Sequence, residues 1–137
     1  MSLKIRNEKP PIWEQVIKAG MHPSIASTIF TYGDIIFVPS GQALPDHLVE
    51  HESVHSKQQG DDPDAWWHRY IEDAYFRIAQ ETEAYATQYR FICQAVKDRN
   101  RRFSILNELA EHLSSPTYGS VITRQDALQM IKQKANI

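Results

Sequence analysis

The run Pro45-Asp46-His47-Leu48-Val49-Glu50-His51-Glu52-Ser53-Val54-His55-Ser56-Lys57-Gln58-Gln59, closed by Gly60, decides how the chain is read. Leu44, Leu48, His51 and His55 recur at helical spacing, which predicts a helix whose inward stripe carries two histidines and which stops at Gly60. Residues four apart on a helix are separated by about 6 Å of rise and about 40° of rotation, so both imidazoles project from one face. One divalent ion can bridge them. Glu52 points to a different azimuth, too far round to join the same coordination tetrahedron but placed to reach a water on the ion. This is the H-E-x-x-H arrangement of zinc hydrolases.

A catalytic zinc takes three protein ligands and keeps one position open, so a third ligand is needed. One group of H-E-x-x-H enzymes supplies it from six residues after the second histidine, behind a glycine that turns the chain. Here those positions hold Asp61 and Gln58, which leaves Asp61 the poorer candidate. The better one lies on the next long helical pattern, about Ala74 to Lys97. Glu81 shares a face there with Ala74, Ile78, Tyr85 and Ile92, an otherwise buried stripe, whereas Glu83 lies with Gln80, Thr87 and Arg90, a solvated one. A lone carboxylate on an apolar face is costly unless a cation offsets it, and zinc would do so. With His51, His55 and Glu81 as ligands, Glu52 is left as general base and acid. Zinc acidifies water from a pKa of about 15.7 toward about 7, within reach of a carboxylate near neutral pH. Hydrolysis of an acyl bond, most simply a peptide bond, follows, with an extended substrate paired to the edge of the Tyr32 to Val38 strand segment.

Composition sets the frame around this site. At 137 residues, 42% hydrophobic and 23% charged, the chain fits one globular domain spanning 1–137. Fifteen basic against seventeen acidic residues give a net charge of -2, no footprint for nucleic acid or anionic membrane. No apolar stretch is long enough to span a bilayer and no charged-then-apolar leader opens the chain, so a cytoplasmic location is expected. Met1 to Leu3 carry no weight in the reading. The single Cys93 excludes an internal disulfide and a thiolate zinc knuckle, which leaves histidine and carboxylate to hold a metal.

Outside the motif, Pro10-Pro11 and Gly20 bracket a short helix with Ile12, Trp13, Val16 and Ile17 on its apolar side. Ser27 to Tyr32 and Ile35 to Val38, joined at Gly33-Asp34, predict two short strands or one bent one. Trp66, Trp67, Tyr70 and Ile71 mark a helix after the Asp61 to Asp64 loop. Asp98 to Arg102 reads as a solvated charged break before an amphipathic helix through Phe103, Leu106, Leu109 and Leu113. Thr123 and Asp126 cap a last helix, Arg124 to Lys134. The fold class is α+β, mostly helical, with a small hairpin or sheet ahead of the motif helix.

These residues carry a resemblance. His51-Glu52-x-x-His55, preceded by a strand and followed by a helix bearing Glu81-x-x-x-Tyr85, resembles the gluzincin metallopeptidases, including the very small minigluzincins. The resemblance implies a zincin-like domain with one Zn2+ per chain, a peptide or protein substrate, and Glu81 as the family's downstream glutamate. Four residues after that glutamate the family usually has Asp or Asn bonded to a ligating histidine. Tyr85 stands there in this chain, so the ring needs another acceptor. More closely, His51-Glu52-x-Val54-His55-Ser56-Lys57-Gln58-Gln59, Trp66-Trp67, Glu81-x-Glu83-Ala84-Tyr85 and Ser115-Pro116-x-Tyr118-Gly119 are similar to small phage- and prophage-encoded zinc peptidases, over about residues 30 to 131.

Plainer readings stand beside these. The two histidines could be satisfied core residues, or hold a zinc that staples the fold of a non-catalytic phage-related structural or interaction protein. A cell-wall peptide amidase is a further alternative. Glu52, which no structural zinc needs, favours catalysis. His47 reads as a solvated helix residue, His22 as a turn, His68 as surface, and Trp66 and Trp67 as packing anchors. His112 and Tyr118 are candidate oxyanion donors. Arg77 either pairs with a carboxylate near the site or is exposed, and Arg99, Arg101 and Arg102 read as a solvated loop.

Overall fold

A computed structural model describes residues 3–137. The order is β1 (Lys4–Arg6), α1 (Trp13–Lys18), β2 (Phe30–Tyr32), β3 (Ile35–Phe37), α2 (Asp46–Gln59), α3 (Pro63–Glu72), α4 (Ala74–Ala95), α5 (Arg99–Leu113), a 3₁₀ turn (Pro116–Tyr118) and α6 (Arg124–Ala135). This is the expected mostly helical α+β class. The helix starts follow local chemistry: Asp62, Asp73, Asp98 and Thr123 each accept a backbone N–H from the first turn of the helix that follows. No helix among the described residues is long and apolar enough to cross a membrane.

The two strands expected around Gly33-Asp34 form an antiparallel pair, with Tyr32 opposite Ile35 and Phe30 opposite Phe37. Gly33 sits at φ +66°, the left-handed conformation that a two-residue hairpin turn requires. A third strand was not expected. β1 runs parallel to β3, Lys4 to Arg6 against Ile35 to Phe37, giving the order β1-β3-β2. This corrects the expected substrate edge, because β3 is enclosed on both sides. On β2 the Thr31 carbonyl accepts from Gln59 Nε2 of α2 at 2.8 Å and Trp67 Nε1 of α3 at 3.0 Å.

The expected charged break before α5 is also corrected. Asp98 is the cap, and Arg99 to Arg102 form the first turn of the helix. Arg102 folds back to donate to the carbonyls of Cys93 and Val96, satisfying the end of α4, so it is not part of a solvated loop.

Two apolar clusters build the interior. One joins α4, α5 and α6 through residues such as Ile78, Ala86, Leu109, Leu113 and Ile131. The other joins α1, β2 and α3 through Trp13, Val16, Phe30, Trp66, Trp67 and Tyr70. Helix α2 packs on α4 and β2 between them.

Candidate metal centre

Four side chains of α2 are buried, and all are polar: His51, Glu52, His55 and Gln59. A helix that turns such a face inward loses stability unless every group finds a partner. Each does: no buried side-chain nitrogen or oxygen among the described residues lacks one. The face is therefore organised by polar chemistry and not by hydrophobic packing.

His51, His55 and Glu81 converge, as the sequence predicts. Glu81 Oε1 lies 3.1 Å from His51 Nε2 and 3.1 Å from His55 Nε2, and one ligand atom from each residue lies within 4.8 Å of the others. Bonds of about 2.0 to 2.1 Å to a tetrahedral zinc put neighbouring donors about 3.3 Å apart, so this cage has the size of a single ion. Glu81 is 3% exposed, which confirms its place on the inward stripe. Asp61 is exposed beyond the end of α2 and does not belong to the group.

The fit extends to the protons. His51 Nδ1 donates to Gln88 Oε1 and His55 Nδ1 to Gln58 Oε1, both at 2.9 Å. Without a metal the Nε2–H groups donate to Glu81; with one, the single proton of each ring would stay on Nδ1 and leave the Nε2 lone pair for the ion. Gln58 has no freedom to turn over, since its Nε2 donates to Gln80 O and Glu83 Oε1. Glu83 thus props this amide; it is half-buried, not part of a solvated stripe. Gln58 and Gln88 are the acceptors that Tyr85 does not supply. Their signal was spacing: Gln58 falls three residues after His55, and Gln88 two helical turns after Glu81. We expect Gln58→Leu to weaken zinc binding about 10- to 100-fold, read by competition with a chromophoric chelator.

Glu81 has two further constraints. Tyr70, expected only as part of an apolar face, donates its hydroxyl to Glu81 Oε2 at 2.6 Å and leaves Oε1 for the cage. Burial and the neighbouring Glu81 raise the Tyr70 pKa well above 10, so it stays a donor. Burial opposes the Glu81 charge, but His55 and the hydrogen bonds from both rings hold its carboxyl well below the usual range. For His55, burial likewise opposes charge, and Glu81 outweighs it, pushing the ring up to about 9.

A metal ion entering the cage would therefore have to displace a proton from His55 at neutral pH. Its apparent affinity should rise with pH, by up to about tenfold per unit, and level off above about 9. Stability of the chelator-treated protein moves the opposite way. A raised folded pKa contributes fully below the ordinary histidine value of about 6.5, and that contribution is lost as pH rises through about 9. Zinc titrations and urea melts across this window read the two signs separately.

Glu52 is 4% exposed and lies beside the cage, with Oε2 3.7 Å from His51 Nε2. Thr31 on β2 donates to Oε1 at 2.9 Å and orients the carboxylate, a partner the sequence did not suggest. Burial raises the Glu52 pKa, His51 and His55 pull it down, Glu81 pushes it up and Thr31 pulls it down again.

A cleft of about 320 Å³ opens from Glu52 and His51 between α2 and α5. Tyr85 and Tyr118 line it, their hydroxyls 2.8 Å apart, and Tyr85 packs edge-on against the His51 ring. Tyr118 borders both the cleft and the pocket around the cage, whereas His112 is exposed and lines only the cleft. Arg77 is neither exposed nor paired with a carboxylate, which corrects both readings of it. It is buried and donates to the carbonyls of Tyr70 and Ile71, at the end of α3, and of Tyr118. Gly119 permits this approach: its φ is +95°, and a Cβ there would lie 3.3 Å from Arg77 Nη1. His47 is corrected as well, being half-buried on the cleft wall and bonded to Gln88.

No protein-family model, no curated protein and no solved structure matches the chain.

Proposed function

We propose that the chain is a zinc-dependent metallopeptidase of gluzincin type, with His51, His55 and Glu81 holding the metal and Glu52 as general base and acid. The observation that carries this reading is Glu52 itself. It is a buried carboxylate that the three-ligand cage does not use, oriented by Thr31 and placed where the cage meets an open cleft. A purely structural site closes all its positions and has no need of such a group.

When bound, zinc supplies Lewis acidity, polarising a carbonyl and acidifying water. Glu52 takes the proton of the attacking water on Oε2, the oxygen nearer His51, and returns it to the leaving amine. Tyr118, kept protonated by burial, Glu81 and Tyr85, is the donor for the developing oxyanion, and Arg77 positions it through the Tyr118 carbonyl. The cleft is at the small end of the 300 to 1,000 Å³ common for ligand sites, the size for a short length of extended peptide.

A second reading rests on the place of the cage, which ties α2 to α4 between the two apolar clusters. On that reading the metal is a staple in a non-catalytic interaction protein. The zinc-loaded protein should be incubated with denatured protein, a mixed peptide library and isolated peptidoglycan, and new amino termini mapped by mass spectrometry. Zinc-dependent cleavage of peptides supports the peptidase, and cleavage confined to peptidoglycan makes it a cell-wall amidase. No cleavage of any of the three at full zinc occupancy overturns the enzyme in favour of the staple.

A further inference from the structure

We infer that His47 is a substrate-binding residue, presenting a neutral Nε2–H to a backbone carbonyl of the bound peptide, and that Gln88 is the positioning residue that fixes this tautomer. The inference rests on the metal reading above. A metal on His51 Nε2 leaves the ring proton on Nδ1, which donates to Gln88 Oε1 at 2.9 Å. The same carboxamide then turns its NH2 to His47, with Gln88 Nε2 at 2.8 Å from His47 Nδ1. A nitrogen that accepts from an amide carries no proton, so the proton of His47 sits on Nε2. Gln88 is 2% exposed and has no other side-chain partner, so one amide sets both rings.

The donor so created has somewhere to act. Among the described residues His47 Nε2 makes no hydrogen bond and no buried side-chain nitrogen lacks a partner, so Nε2 is open to solvent. His47 lines the cleft with Leu48, opposite Leu109 and His112 of α5. It stands one turn before His51, about 6 Å along the helix, the length of about two residues of extended chain. A peptide whose scissile carbonyl lies at the cage would bring a carbonyl some two residues away to this point. Burial, then His51, lowers the His47 pKa, with Asp46 opposing, in keeping with a neutral ring.

Two measurements test this. Long-range 1H–15N spectra of zinc-loaded protein at pH 7 should show His47 protonated on Nε2 and bare on Nδ1, while His51 and His55 show metal on Nε2. Zinc on both rings with His47 in the Nδ1–H or doubly protonated form overturns the inference alone. Rings of His51 and His55 without zinc overturn the metal reading and this inference together.

The second measurement compares N-acetyl-leucyl-glycine hydroxamate, whose acetyl carbonyl lies two residues from the hydroxamate and so reaches His47, with acetohydroxamate, which reaches only the metal. Both are titrated calorimetrically into zinc-loaded wild type and His47→Phe. The peptide hydroxamate should bind about three- to tenfold more weakly to the variant, and acetohydroxamate equally to both proteins. An equal loss for both ligands, or no loss for either, overturns the substrate contact. The ring spectrum is read on wild type, so the test survives a variant that fails to fold.

Discussion

Glu52→Gln protein, loaded with zinc, is expected to keep its metal and lose hydrolysis by at least about 10²-fold, within the 10² to 10⁴ typical of a general acid-base group. The substitution preserves shape. Thr31 can still donate to the side-chain oxygen it now holds at 2.9 Å, and the cage contains no atom of Glu52. What disappears is the capacity to take a proton, and burial cannot restore it to an amide. The prediction is checked by initial rates on a peptide that the wild type cleaves, beside the zinc content of both proteins. A variant that retains zinc and cleaves at the wild-type rate would remove Glu52 from the mechanism.

The second large effect is expected at Glu81. Replacing it by Gln should weaken zinc binding by more than 100-fold, beyond what loss of an outer hydrogen-bond partner produces. Glu81 is the only anion of the cage, and its Oε1 stands 3.1 Å from both imidazole nitrogens. It is also the main cause that lifts His55 to about 9, so the variant's ring should lose its proton at lower pH. Wild-type protein should gain about 2.7 kcal/mol from zinc at one hundred times its Kd, seen as a shift of the unfolding midpoint. The variant should gain less than about 0.4 kcal/mol at the same zinc concentration. An undiminished shift would mean that the metal, if bound, does not use Glu81.

Glu81 also illustrates what a sequence carries. Its position on a stripe with Ile78 and Tyr85 marked it as buried, and the spacing of His51 and His55 marked where a metal could join it. The groups that make the site chemically specific were harder to see. Tyr70 looks like one more aromatic beside Trp66 and Trp67 until its hydroxyl is found on Glu81. Arg77 looks like a partner for a carboxylate or an exposed cation until its guanidinium is found holding three carbonyls. Thr31 has the sequence signature of a strand and nothing more, yet it orients Glu52. The strand Lys4–Arg6 was hidden for a related reason: all its residues are exposed, and its identity as a strand comes from pairing with Ile35–Phe37.

The division follows from the range of the forces involved. By itself the sequence determined whatever repeats with a helical or extended period: the motif helix, the relative placement of His51, Glu52 and His55 along it, the extended segments on either side of Gly33-Asp34 and the Thr123 cap of the last helix. Those geometries depend on residues a few positions apart, and backbone sterics set them before any packing occurs. Tertiary structure alone decided which amides hold the two rings, which hydroxyls meet Glu52 and Glu81, and that a cleft opens beside them. These contacts join residues distant in the chain, and polar groups of one type are interchangeable in sequence until packing selects a partner for each buried donor and acceptor.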